Sequence, residues 1–159
     1  MITAHPGGTI RTRAVFTAAL FVSAQAWIGV IATSAHASTP EEARVAGCDF
    51  ATAIATYDYR DIDTHLAGIL DRTTGEFRQM FQDNQSALRA ALVAAQAHSE
   101  AGNVQCTLIS GDSEHARVAL EFDTIANTKS GPRSDHVSTV DELDNVNGRW
   151  LISRADPSS

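Results

Sequence analysis

The sequence predicts an α+β domain over residues 38–159. Apolar residues recur at spacings of three and four in the first half of that range and alternate at a period of two after Val104, with no helical pattern between the alternating runs. Parallel strands would need a helical crossover, so the sheet is a meandering antiparallel one that follows the helices. The whole chain has 159 residues and a formal net charge of −7. That length fits one domain and is too short for an eight-stranded α/β barrel or for separate cofactor and substrate lobes.

The chain opens with residues 1–13, which carry Arg11 and Arg13 and no acid. Residues 14–37, AVFTAALFVSAQAWIGVIATSAHA, contain no Asp, Glu, Lys or Arg. As a helix this stretch covers roughly 36 Å, enough to cross a hydrocarbon core of roughly 30 Å. The two arginines keep residues 1–13 in the cytoplasm and send residues 38–159 outside, because cationic flanks stay on the inner side. This reading gives a single-pass inner-membrane protein with an extracytoplasmic domain, and the long apolar run and Trp27 favour retention. The alternative is a signal peptide cleaved after Ala37 at the A-x-A site Ala35-His36-Ala37, which would release the domain. An N-terminal core helix of a cytosolic protein would need a polar face at helical spacing, which this segment lacks.

A helix start is written at Ser38-Thr39-Pro40-Glu41-Glu42. Thr39 can cap the Glu42 N–H while the Glu42 side chain reaches back, and Pro40 suits the first helical position. The helix is expected from Pro40 to about Thr56, with Ala43, Ala46, Phe50, Ala53 and Ile54 as its apolar stripe. A second helical pattern carries Ile62, Leu66, Ile69 and Leu70, and either Asp58 or Asp61 can cap it. Thr73-Thr74-Gly75 interrupts the pattern, which resumes at Glu76 to Phe81. A longer helical stretch from about Asn84 to Ala101, burying Leu88, Ala91, Leu92 and Ala95, is expected to stop at Gly102-Asn103. Val104, Cys106 and Leu108 then share one strand face, and Val118, Leu120 and Phe122 share another. A third strand is expected over Val137 to Val146, and Asn147-Gly148 is a two-residue hairpin turn into a strand from Arg149 to Arg154.

Without Arg11 and Arg13, residues 38–159 hold 10 basic and 19 acidic groups, a balance of −9. No basic stripe exists to release counterions, so nucleic acid is not expected as a partner and anionic headgroups are poor candidates. No phosphate-binding glycine loop, nucleophile elbow or zinc-protease signature is present, and no cofactor or metal is expected. The densest polar constellation is Tyr57-Asp58-Tyr59-Arg60-Asp61-Ile62-Asp63-Thr64-His65, in which Asp61 and His65 stand one helical turn apart and could share a metal or a proton. A solvated helix start, with the tyrosines wedged at the junction, explains the same residues at less cost. His98, His115 and His136 are scattered singly and read as surface residues, and Trp150 reads as sheet packing. Cys48 and Cys106 both fall in the exported part, where an oxidising compartment permits a disulfide; two buried reduced thiols are the alternative.

Tyr57-Asp58-Tyr59-Arg60, Thr74-Gly75-Glu76-Phe77 and Gly148-Arg149-Trp150-Leu151-Ile152-Ser153, in this order behind a single apolar segment, resemble an Mce-associated membrane protein over roughly residues 40–157. The resemblance implies a SnoaL-like or cystatin-like roll, with helices packed on a curved antiparallel sheet. It also implies a non-enzymatic accessory role beside Mce complexes that import lipids or sterols, with Mce components or other envelope proteins as partners. Two alternatives remain open. Similar rolls enclose an apolar pocket and perform isomerase or hydratase chemistry, which needs a buried carboxylate or histidine; Asp58, Asp61 and Asp123 are the candidates. The other alternative is a structural subunit similar to the periplasmic domain of type IV secretion inner-membrane proteins.

Overall fold

The structure, a computed structural model, describes residues 39–158. The cytoplasmic region assigned to residues 1–13 and the anchor or signal peptide assigned to residues 14–37 lie outside the described residues. Among the described residues no helix is long and apolar enough to cross a membrane.

Helix α1 (Pro40–Ala55) starts with the expected capping box. Glu42 N–H donates to Thr39 Oγ1 at 3.3 Å and Thr39 N–H donates to Glu42 Oε2 at 2.8 Å. Its buried face is Ala43, Gly47, Phe50, Ala51 and Ala55, while Ala46, Ala53 and Ile54 lie half-buried beside it. The reason is Gly47, where the helix lies close against the sheet: a Cβ there would stand 3.1 Å from Leu120 Cδ2 and 3.3 Å from Val118 Cγ1. The contact line runs through the residue with no side chain, which a reading of apolar side chains passes over.

A two-residue strand, β1 (Tyr57–Asp58), and a 3-10 turn (Tyr59–Asp61) lead into α2 (Ile62–Asp71), whose buried residues are Ile62, Leu66 and Ile69. Asp58 caps the turn by accepting from Arg60 N–H at 2.9 Å, whereas Asp61 holds the N-cap position of α2 without a side-chain bond. Helix α3 (Gly75–Ala95) runs unbroken and buries Phe77 and Phe81.

Here the structure corrects the sequence reading. The helix ends at Ala95, not Ala101, and Leu88 and Ala91 are exposed. Gln96 takes the left-handed conformation at φ 50°, with Gln96 N–H on the Val93 carbonyl and Ala97 N–H on the Leu92 carbonyl, a Schellman end. The chain then enters β2 (His98–Gly111), where residues 98–102 pair antiparallel with residues 123–127 of β3 (His115–Thr128). Cross-strand hydrogen bonding wins over the helix propensity of a short alanine-rich run. Gly102-Asn103 is a bulge inside the strand, with Asn103 at φ 48° and the register shifted before Gln105.

Strands β4 (Gly131–Val146) and β5 (Arg149–Pro157) complete an all-antiparallel sheet in the order β1-β2-β3-β4-β5. Asn147 and Gly148, at φ 54° and 82°, make the hairpin turn expected of that pair. The sheet curves into a half-barrel with the helices against it, an α+β roll. Val118, Leu120, Phe122, Leu143 and Ile152 meet Phe50, Leu66, Ile69, Phe77 and Phe81 in one core. Phe50 and Phe77 stand edge to face at 5.5 Å. A disulfide joins Cys48 of α1 to Cys106 of β2, with Cα atoms 5.7 Å apart. The loop between α2 and α3 runs along part of the outer edge of β5: Thr74 N–H donates to the Ile152 carbonyl at 2.8 Å and Ile152 N–H to the Arg72 carbonyl at 3.0 Å.

Candidate functional site

The Tyr57–His65 constellation folds into the junction of α1, β1 and α2 and lines an open depression of about 360 Å³. Asp58 is placed by β1, Asp61 and His65 by the first turn of α2, and His98, Ser99 and Glu100 by the start of β2. His98 stands between two carboxylates, its Nδ1 3.6 Å from Asp58 and its Nε2 3.6 Å from Glu100. The His65 ring lies tilted against Tyr57 at 5.5 Å. Burial holds its imidazole below the usual range, and a hydrogen bond to the Thr56 backbone partly offsets this. A second depression of about 620 Å³ runs between α1 and α2, where small residues such as Ala53 and Gly68 leave the space open. Thr56, Thr64 and His65 line both depressions, so they form one trough.

Asp61 and His65 therefore do meet at one surface. Among the described residues, however, no group of three or more His, Cys, Asp or Glu is arranged to hold a metal ion. Among the described residues the two remaining histidines are exposed and each has an acidic neighbour: His115 Nδ1 lies 3.0 Å from Asp144, and His136 Nδ1 lies 2.8 Å from Asp123. Asn103 Nδ2 also donates to Asp123, at 2.6 Å. Hydrogen bonds from Asn103 and His136 hold the Asp123 carboxyl below its ordinary range, so this candidate is a structural acceptor on the sheet surface. A further depression of about 460 Å³ at the Gly111–His115 end of the sheet is an open surface feature in which His115 is already engaged by Asp144. Trp150 is packed in the core, as expected.

The buried carboxylate is a residue that sequence reasoning missed. Asp141, on β4, is 1 % exposed, and its Oδ1 has no hydrogen-bond partner among the described residues. It lies between Val118 and Ala155 across the sheet. Burial pushes its carboxyl up to about 6; a hydrogen bond from Thr139 opposes the rise and the charge of Asp156 adds to it. The signal was available in the period of two, because Asp141 shares the phase of Leu143 and must face the same way. None of these depressions is lined by Asp141.

No protein-family model matches the chain, and no curated protein matches it in sequence. Solved structures do match in fold. An IcmL-like type IV secretion system protein from Legionella pneumophila superposes with a TM-score of 0.60 at 16% identity, over 75% of this chain and 93% of that one. The intermembrane space region of chloroplast protein ARC6 superposes with a TM-score of 0.52 at 10% identity, over 76% and 97% of the two chains. At such identities the likeness is one of fold.

Proposed function

We propose that this chain is a non-catalytic structural subunit of the cell envelope that works by contacting other proteins. The packed interior carries the reading. An isomerase or hydratase needs an apolar pocket with an ionisable group at its base, and here Phe50, Phe77, Phe81, Leu120 and Leu143 fill that space. The one buried carboxylate among the described residues, Asp141, opens onto none of the depressions. The fold neighbour from a type IV secretion system supports the structural-subunit alternative over the Mce-accessory role, which rests on the three short motifs and is the second reading. The disulfide supports an oxidising compartment for residues 38–159, in keeping with a domain on the outer side of the inner membrane.

Photo-crosslinking in cells tests the proposal, with a reactive residue placed at exposed Val45, Met80 or Leu88 of the full chain. Adducts with secretion-system components are the expected result. Adducts with Mce permease components would transfer the proposal to the accessory role, and turnover of a small molecule abolished by Asp141→Asn would overturn the non-catalytic reading altogether.

A further inference from the structure

Strand β5 lies at the edge of the sheet and is made of two runs that are held very differently. The first, residues 149–152, is fastened on both sides: it pairs with residues 143–146 of β4, and Thr74 N–H and the Arg72 carbonyl hold Ile152 from outside. A register shift at Ser153 separates it from residues 154–157, which pair with residues 139–142. Among the described residues no backbone group bonds to the outer edge of this second run. Of residues 154–158 only Ala155 is half-buried, and the rest are exposed. Arg154 meets Glu76 of α3 in a solvent-exposed ion pair at 2.5 Å, which adds little. Ser158 N–H donates to the Ser138 carbonyl at 3.0 Å, beside a contact between the two serine hydroxyls. Lifting this run would break a few strand hydrogen bonds and uncover no large apolar side chain, the mark of a segment that opens locally.

Beneath the run lies a group that water would stabilise. Asp141 is directly across from Ala155, and Thr139 from Pro157. Asp141 is 1 % exposed and its Oδ1 has no hydrogen-bond partner among the described residues, so its ionised form is strongly disfavoured there. No cation compensates. Val118 across on β3 and the buried face of α1, with Ala43, Gly47 and Phe50, are uncharged. Glu76 of α3 is turned to Arg154, and Glu142 stands on the opposite face of β4. The charge that does act on Asp141 is that of Asp156, which has the same sign and belongs to the loosely held run. A notch of about 210 Å³ between α3 and this run, lined by Phe77, Met80, Ala155 and Asp156, already opens beside Ala155.

We propose that residues 154–158 form a pH-sensitive flap, closed over Asp141 while the carboxyl holds its proton and released as it ionises. Release admits water to the carboxylate, moves Asp156 away and bares the edge of β4 from Thr139 to Glu142. An open flap returns the carboxyl to its ordinary value of 3.8, whereas the closed one holds it at about 6. Below the lower value both forms carry the proton and pH favours neither. Opening therefore increases as the pH rises between the two values and levels off above the upper one. The ratio of the two acidities limits the increase to about a hundredfold.

Native-state hydrogen exchange, followed by NMR on the isotope-labelled full chain in detergent micelles, tests the flap. Rates are read as protection factors, which removes the intrinsic acceleration of exchange with pH. Protection of the hydrogen-bonded amides in residues 154–158 is expected to fall by up to about a hundredfold between pH 4 and 7.5. The fall should level off where the Asp141 carboxyl carbon itself titrates. Because the opening is local, exchange there should hardly respond to urea below the unfolding transition, unlike exchange of residues 118–122 in β3. Asp141→Asn should flatten the pH response of the flap. Protection that stays constant with pH, that falls equally in Asp141→Asn, or that shares the urea dependence of β3 would overturn the proposal. The pH and urea measurements need only the native chain, so the flap is decided even if the variant does not fold.

Discussion

Replacing Asp141 by asparagine should stabilise the protein at neutral pH and do little in acid. The carboxyl titrates near 3.8 in an unfolded chain and at about 6 in the fold. Below the lower value both states hold the proton, and the group favours neither. Between the two values the folded chain keeps a proton that the unfolded chain has released, so its stability falls as the pH rises. Above about pH 6 the penalty is complete, and a displacement of that size corresponds to about 3 kcal/mol. Asparagine keeps the shape of the protonated acid and cannot ionise. The gain from Asp141→Asn should therefore grow from near its acid baseline at pH 4 to about 3 kcal/mol at pH 7.5, or on the order of 10 °C in Tm for a domain of this size. An unpaired amide hydrogen on the new side chain would shift every point equally, so the slope of the difference against pH is the quantity to read. Urea unfolding of both proteins from pH 4 to 8 supplies it. The comparison has to be a difference, because Asp63 and Asp71 act in the opposite sense. Hydrogen bonds from Arg89 and Arg149 hold those carboxyls low, and their contributions fade as the pH falls. A difference that stays flat across the range, or one that favours the native aspartate at pH 7.5, would refute a desolvated carboxylate at this position.

Reducing or removing the Cys48–Cys106 bridge, which closes a loop of 58 residues, should cost up to about 4 kcal/mol, seen as a lower denaturation midpoint for Cys48→Ala with Cys106→Ala. Gly47→Val would push a branched side chain into Leu120 and Val118; a loss of about 1–3 kcal/mol is expected, and a thermal melt checks it. Thr39→Ala removes one half of the capping box and should lower stability by about 1 kcal/mol, with circular dichroism showing α1 fraying first. Gly148→Val forces a branched residue to φ 82° in the hairpin turn. It should destabilise by about 1–2 kcal/mol and weaken hydrogen-exchange protection across β4 and β5.

The local signals in the sequence carry much of this fold. Thr39, Pro40 and Glu42 announce the first helix because a capping box is complete within four residues, and Asn147-Gly148 announces the hairpin because both positions need positive φ. What escapes is whatever depends on a distant partner. Residues 96–101 have helical character in isolation, yet β3 claims them as a strand. Gly102-Asn103 looks like a helix stop and serves as a bulge because its neighbours are already paired. The same division runs through the site. Asp58, Asp61 and His65 are legible as a cluster because they lie within eight residues, whereas His98, Ser99 and Glu100 join them only through the pairing of β1 with β2. Asp141 is not legible as a buried residue because an aspartate is ordinarily solvated, although its alternation with Leu143 places it within.

The covalent link between α1 and β2 also decides how the domain bears load. A pull on the chain ahead of residue 39 would unwind α1 from its first turn, but the unwinding halts at Cys48, nine residues in, where the force passes through sulfur into the middle of β2. From there it is spread along the ladder that β2 forms with β3. Under such a pull the first two turns of α1 would yield before the bridge carries the force into the sheet.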